Sequence, residues 1–383
     1  MKRREMLSLL GMTALGAVAC QQQQPEQSAG PAIHTTYRWR MATSWPSGFP
    51  IFETGAQRFA QYVATLSHGK LVIEVDSASK HKAAFGVFDM VRDGQYEMGH
   101  SASYYWKGKD PIFSFFTTLP FGMTAIEQTA WFLYGGGEEL MQQAYSRYGL
   151  VSLNAGNTGV QMGGWFRKEI QKLQDLQGLK MRIPGLAGEV MARLGVQVIN
   201  LPAGELYQAL ERNVIDALEW VGPHLDLSMG FQQIASYYYT GWHEPAAELQ
   251  ILINKAAYDR LPREFQQLLH VAARATALET WSEFTAKNAE SFAQLQQQFP
   301  NVQIRRFPEE VLIALKKATV EVLDDIAATR QDIKTVWDSY RRFYQQVASW
   351  TAISSETYLQ LRKNPFIYER HATLSSKNSE AHS

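Results

Sequence analysis

The chain has 383 residues, more than one ordinary hydrophobic core holds, so two lobes are expected. Lys plus Arg and Asp plus Glu balance at 37 each, which leaves no bulk field to draw the chain to nucleic acid. The single cysteine, Cys20, excludes an internal disulfide, a cysteine metal site and a cysteine nucleophile from the folded part, and no apolar run reaches the roughly 18 residues that span a bilayer.

Residues 1–19 read as an export signal, with a basic start at Lys2-Arg3-Arg4 and an apolar stretch from Met6 to Ala19. The arginine pair followed by Glu5-Met6-Leu7 resembles a twin-arginine signal, and a Sec signal can carry the same pair. Ala17-Val18-Ala19-Cys20 resembles a lipobox, which would make Cys20 the lipidated first residue of the mature chain; Ala-Val-Ala also suits plain cleavage after Ala19. Lipidation explains why the one cysteine stands here and why residues 20–36 make a polar tether.

Alternation of Tyr37, Trp39 and Met41 predicts a first strand over residues 37–43. Phe52, Phe59, Val63 and Leu66 recur at helical spacing, and Gly69 stops that helix. Leu71, Ile73 and Val75 predict a second strand, residues 82–93 a helix and 95–101 a third strand. This β-α-β-α-β order predicts parallel pairing with helices on both faces. Tyr104-Tyr105-Trp106 follows the third strand directly, as a cleft wall or as a packed loop. Two helices split by Gly135-Gly136-Gly137 come next. Without a Walker lysine, those glycines read as a turn rather than a phosphate cradle. A strand over 149–154 leads to Gly156-Asn157-Thr158-Gly159, a crossing hinge.

The second half predicts strands at 160–166, 179–183, 197–200 and 215–220, with helices at 186–195 and 203–212. Strands at 234–239 and 248–254 lead back to the first lobe, and Trp242-His243-Glu244 between them faces the cleft. Pro262 opens a helix that runs to Phe299, roughly 55 Å at 1.5 Å per residue, long enough to brace both lobes. A strand over 302–307 and helices near 308–329, 331–350 and 353–363 complete the order, ahead of a polar tail. The expected architecture is therefore α/β: a two-lobe, periplasmic-binding-protein-like fold with mixed sheets flanked by helices and a long helix across both lobes. Lobe I takes 37–157 and 247–285, lobe II takes 158–246 and 286–350, and 351–383 form a C-terminal helix and tail.

Gln161, Arg182 and Glu219 each stand at or near the end of a predicted strand, where side chains of separate strands converge on one cleft. An arginine presents a forked donor that matches a carboxylate. A glutamine oxygen and a carboxylate suit a hard cation. Their combination points to a site for a small carboxylate and a cation. His100, His224 and His243 lack the spacing of a helical metal motif and read as scattered core or surface histidines.

The runs Gly156-Asn157-Thr158-Gly159-Val160-Gln161-Met162-Gly163-Gly164-Trp165, Gly178-Leu179-Lys180-Met181-Arg182 and Ile215-Asp216-Ala217-Leu218-Glu219-Trp220-Val221-Gly222-Pro223 carry a resemblance. They resemble the solute-binding proteins of tripartite ATP-independent periplasmic (TRAP) transporters, the DctP family, in the branch that binds 2-oxo acids such as pyruvate. Tyr104-Tyr105, Gly108-Lys109-Asp110-Pro111 and Tyr238-Tyr239-Thr240-Gly241-Trp242 fit that branch, and the likeness covers nearly all of the mature chain. The resemblance implies an exported, periplasmic, non-enzymatic receptor that closes on a small monocarboxylate, such as pyruvate or lactate, and serves integral membrane subunits. It implies that Arg182 binds the carboxylate and that Tyr104, Asn157, Gln161 and Trp220 contact the ligand. It also implies that Gln161, Glu219, the carbonyl of Trp220 and Glu244 hold a sodium or calcium ion. It implies a C-terminal helix, here 353–363, able to join two subunits as a homodimer. Two departures stand out: Ser79-Lys80-His81-Lys82-Ala83 replaces a turn that relatives fill with glycine, glutamate and proline, bringing two lysines to the cleft entrance, and His243 replaces an aromatic residue. A secreted metal-dependent lyase or hydrolase with Glu219 as base is the alternative; no activated nucleophile or cofactor motif accompanies it.

Overall fold

The computed structural model describes residues 35–362. The export signal, Cys20, the linker up to residue 34 and the tail from residue 363 lie outside the described residues. The first sheet holds β1 (Tyr37–Thr43), β2 (Leu71–Asp76), β3 (Met98–Ser101) and β4 (Leu150–Asn157). The second holds β5 (Gly164–Phe166), β6 (Lys180–Arg182), β7 (Gln197–Ile199), β8 (Ala217–Leu218) and β9 (Tyr237–Tyr239). Strand β10 (Glu248–Asn254) then returns to the first sheet, and β11 (Gln303–Arg305) to the second.

The orders are β2-β1-β3-β10-β4 and β11-β9-β5-β8-β6-β7. β1 pairs in parallel with β2 and β3, as the alternating strands and helices predict. β10 runs antiparallel between β3 and β4, so the sheet is mixed. Trp39 and Met41 of β1 point inward while Arg38 and Arg40 stay exposed, the period-two pattern of a strand with one face buried. The helix Phe52–Leu66 buries Phe52, Ala56, Phe59 and Val63 at helical spacing, and the chain reverses at Gly69, whose φ of +74° suits glycine.

Several expected elements are shorter than the sequence implies, among them the strands expected over 215–220 and 234–239, which are Ala217–Leu218 and Tyr237–Tyr239. In place of one helix over 82–93 there are two, Ala78–His81 and Val87–Arg92. Lys82 adopts a left-handed conformation, φ +61°, and ends the first of them. The strand expected over 160–166 begins only at Gly164. Ahead of it the backbone bonds to loops: Gln161 N donates to Glu244 O at 2.9 Å, Met162 N to Val221 O at 2.8 Å and Gly163 N to Tyr239 O at 2.7 Å.

The long helix Arg263–Gln298 has 36 residues. Phe284 meets Phe52 edge-on at 5.5 Å, on the side of the first sheet. Asn288 Oδ1 accepts from His224 N at 3.0 Å, in the helix Pro223–Ser228 beyond β8. The helix Glu309–Ala328 is tied to the helix Gly185–Arg193 by Arg193–Asp325 at 2.8 Å. The next helix, Gln331–Thr351, returns to the loop before the helix Ala125–Tyr134, where Tyr340 OH accepts from Met123 N at 2.7 Å. The chain does not break after it: a π-helical turn, Ala352–Glu356, carries it into Thr357–Leu361. Among the described residues no helix is long and apolar enough to cross a membrane.

Candidate functional site

Four loop or strand-end segments meet at one buried place. Arg182 closes β6, and Glu219 and Trp220 follow β8 directly. Gln161 lies in the crossover from β4 to β5, and His243 and Glu244 in the crossover from β9 to β10. Gln161, Arg182, Glu219, His243 and Glu244 are all at most 2% exposed. Glycine lets the crossovers approach: a Cβ on Gly241 would fall 1.9 Å from the carbonyl oxygen of Gln161.

Arg182 is fixed by its neighbours. Its Nη1 donates to Glu219 O at 2.6 Å and Glu219 Oε2 at 3.2 Å, and its Nε donates to Leu201 O at 3.2 Å. The guanidinium lies over the Trp220 ring, 5.2 Å from its centroid. Nη2 is buried with no partner. Gln161 Nε2 donates to Thr158 Oγ1 at 3.0 Å, and its oxygen is buried with no partner. Glu219 Oε1 and Glu244 Oε2 are likewise buried and unpartnered. Trp220 Nε1 and both ring nitrogens of His243 are unpartnered as well, so donors and acceptors alike remain unmatched in one buried cluster, which is energetically expensive.

The electrostatics agree. Burial pushes the Glu219 carboxyl up to about 8, against the pull of Arg182, and burial with the Glu219 charge pushes Glu244 up to about 8. The donor set is rich in hard oxygens, which fits an alkali or alkaline-earth cation. Glu219 and Glu244 could hold such a cation, which would supply the charge they lack, and the unpartnered Arg182 Nη2 could donate to one oxygen of an organic anion.

His243 is the residue that sequence spacing missed. Far from being scattered, it sits with Glu219 and Glu244, one ligand atom of each lying within 4.8 Å of the others. Its Nε2 is 3.5 Å from Glu219 Oε1, and burial pulls its pKa down to about 4, so it stands as a neutral imidazole. Its adjacency to Glu244 was the available signal. His100 is a core histidine whose Nδ1 accepts from Trp45 Nε1 at 2.7 Å. Asp226 was also missed. It accepts from Val221 N and Gly222 N, both at 3.1 Å, from Trp165 Nε1 at 3.0 Å and from Tyr238 OH at 2.7 Å. Those bonds hold the turn that follows Trp220.

Tyr104 forms a 3-10 turn after β3 and is 9% exposed. Burial, then the Glu244 charge, hold its hydroxyl well above the ordinary range. Its ring packs on Gly185, at the start of the helix after β6. Trp220 meets Phe49 and Phe52 edge-on at 5.8 and 6.0 Å. Asn157 lies apart: its amide donates to Glu248 Oε2 at 3.3 Å and accepts from Gly159 N at 2.9 Å. Lys80 of the departing turn bonds Asp76 and Glu74, and His81 Nε2 meets Thr43 O at 2.9 Å, so both are occupied at the edge of the first sheet.

A family model for bacterial extracellular solute-binding proteins, family 7 (DctP), matches residues 41–330. The chain belongs to this family. A monocarboxylate 2-oxoacid-binding periplasmic protein of Nostoc sp. is 38% identical over 94% of this chain and 98% of its own. A TRAP periplasmic solute-binding protein of Pseudoalteromonas atlantica, solved with bound sodium and pyruvate, is 54% identical with a TM-score of 0.84, covering 85% of this chain and 99% of that one. Its counterpart from Colwellia psychrerythraea, solved with bound calcium and pyruvate, is 52% identical with a TM-score of 0.84 and the same coverage, 85% and 99%. DctP proteins are binding receptors, and the two mixed sheets with their flanking helices are shared with these solved relatives.

Proposed function

We propose that this DctP protein is the extracytoplasmic receptor of a TRAP-type transporter, and that it carries a small monocarboxylate: a 2-oxo or 2-hydroxy acid such as pyruvate or lactate. The observation that carries the reading is that Arg182 Nη2 and one oxygen each of Gln161, Glu219 and Glu244 are buried without partners on segments joined by the Arg182–Glu219 bond, the Glu219–His243–Glu244 cluster and the Gln161 N–Glu244 O bond. Support comes from the relatives solved with sodium and pyruvate and with calcium and pyruvate. In this reading Arg182 takes the carboxylate, and Gln161, Glu219, the Trp220 carbonyl and Glu244 hold sodium or calcium. The ion supplies positive charge to a second oxygen of the acid. Tyr104 and Trp220 wall the acid. Asn157 braces the crossover through Glu248 and the Gly159 backbone and keeps one amide hydrogen to offer the acid.

Lobe closure accompanies binding, with 37–157 and 247–285 moving against 158–246 and 286–350. Cys20 anchors the mature chain in the periplasm through lipid, membrane subunits receive the acid, and the exposed apolar residues Trp350, Ile353 and Tyr358 serve a homodimer. The neutral His243 beside a raised Glu219 carboxyl is the one observation that favours the lyase or hydrolase reading. Calorimetry of the chelated protein with pyruvate, with and without added calcium or sodium, tests both. Stoichiometric, cation-dependent binding with pyruvate recovered unchanged supports the receptor; turnover supports the enzyme.

A further inference from the structure

The crossover from β9 to β10 brings an imidazole to the two site carboxylates. His243, Glu219 and Glu244 are all buried, and one ligand atom of each lies within 4.8 Å of the other two. Neither ring nitrogen of His243 has a hydrogen-bond partner, and Glu219 Oε1 and Glu244 Oε2 have none either. Nε2 stands 3.5 Å from Glu219 Oε1 with no hydrogen bond between them. Two ligand bonds of about 2.1 Å bridge such a gap at a roughly tetrahedral angle, and two calcium bonds of about 2.4 Å bridge it at a roughly square one. The spacing admits either kind of ion, so the nature of the donors decides between them.

A neutral imidazole carries one donor and one acceptor, and in this buried ring neither is answered. The neighbouring carboxylate oxygens accept from the ring's N–H and do nothing for its lone pair. A lone pair among acidic oxygens is answered by a cation. Sodium and calcium are hard ions that take oxygen ligands. An imidazole nitrogen beside carboxylates instead suits zinc and its first-row neighbours, whose sites mix nitrogen with oxygen.

We infer that His243 is itself a ligand of the site's ion, and that its nitrogen, joined to Glu219 and Glu244, selects a divalent first-row transition metal, zinc above all, over sodium and calcium when they compete. The inference rests on the proposed reading that a cation occupies this cluster, and adds to it a ligand and a selectivity.

The test uses the full mature chain freed of metal by a chelator, and zinc chloride and calcium chloride as the probes, with and without pyruvate. Calorimetry is expected to give one zinc per chain at this site, and zinc added to the calcium-loaded protein is expected to release calcium to a calcium-sensitive dye. Cobalt in place of zinc is expected to give a ligand-field spectrum that changes when the nitrogen is removed. His243→Phe keeps an aromatic ring in the space and is expected to weaken zinc by about 100-fold, the upper range for a lost outer partner of a metal site, while changing calcium by less than about 3-fold. His243→Gln replaces the nitrogen with a carbonyl oxygen and is expected to lose the zinc preference with calcium binding kept, so the comparison survives if the Phe variant does not fold. The inference is overturned if zinc fails to displace calcium, or if the folded variants bind zinc as wild type does. It is also overturned if they lose pyruvate with calcium as the ion while zinc binding is unchanged, which would make His243 a contact of the acid. Pyruvate that binds with neither ion counts against the receptor reading, whereas the zinc preference is read on the metal alone and stands or falls by itself.

Discussion

Arg182 Nη1 holds two atoms of the same residue, the main-chain oxygen of Glu219 at 2.6 Å and its carboxylate Oε2 at 3.2 Å. The strand end β6 and the turn after β8 are thereby locked to each other through one guanidinium, with its second amino group left pointing at no protein acceptor. In the proposed reading, the fork that positions the site is also the fork offered to the ligand.

Arg182→Lys therefore keeps the charge and loses the second donor. Pyruvate affinity should fall by about 10-fold or more. Arg182→Ala also strips the Glu219 carboxylate of its partner, and should cost about 3 kcal/mol of stability in denaturant titrations. Calorimetry on Arg182→Lys decides the point: wild-type affinity there would remove the guanidinium from the binding account.

Without a cation, the two carboxylates set a pH dependence. Glu219 and Glu244 each titrate near 8 in the fold against an ordinary 4.5, so the folded state binds their protons more tightly than the unfolded state does. Their stabilising share is complete below pH 4.5 and is lost as pH rises through about 8. The chelated protein should lose melting temperature over that window, and calcium should flatten the loss. Glu244→Gln should melt higher than wild type when chelated near pH 8, and bind calcium with pyruvate about 10-fold more weakly. A chelated melting curve that rises with pH across the window would contradict this.

Gly185 adopts φ +65°, and a Cβ there would lie 3.1 Å from Tyr104 Cδ1. Gly185→Ala should cost about 1 kcal/mol for the backbone and displace the Tyr104 ring. Because that ring walls the proposed acid site, pyruvate affinity should drop by about 3- to 10-fold. Equal affinity in the variant would mean that Tyr104 does not shape the bound state.

Asp332 begins the helix Gln331–Thr351 and accepts from Arg330 Nε at 2.6 Å and Nη2 at 3.0 Å, with Arg147 also bound. The Arg330 bonds, aided by Arg147 and opposed by burial, hold its carboxyl well below the ordinary 3.8. Its folded value is depressed, so its stabilising share is present above pH 3.8 and is lost as pH falls below it. Asp332→Asn should lower stability by less than about 1 kcal/mol at neutral pH, since the pair is partly exposed, and should reduce the acid loss of melting temperature. An unchanged acid limb would show that the pair is inert.

Much of the fold was legible because its cause is local. The β1 alternation, the Phe52–Leu66 stripe and Pro262 ahead of the long helix each state their element in nearby residues. What was not legible is set by distant partners. Residues 160–163 carry a strand-like run, yet their backbone bonds go to Glu244, Val221 and Tyr239, which no local pattern announces. At the site, Arg182 and Glu219 could be read as strand-end polar residues, and the structure brings them together. His243 could be read as facing the cleft beside Glu244 but not as a neighbour of Glu219, because that place depends on the β9–β10 crossover lying against the turn after β8. The bond from Asn157 to Glu248 was likewise not legible, because it depends on β10 lying next to β4.

β3 and β4 do not pair with each other; β10 alone joins them. During synthesis or export, therefore, the first sheet cannot be finished until residue 254 has emerged, after the whole second sheet except β11. A shorter nascent chain carries exposed edges on β3 and β4, which invites a holding factor until the missing middle strand arrives.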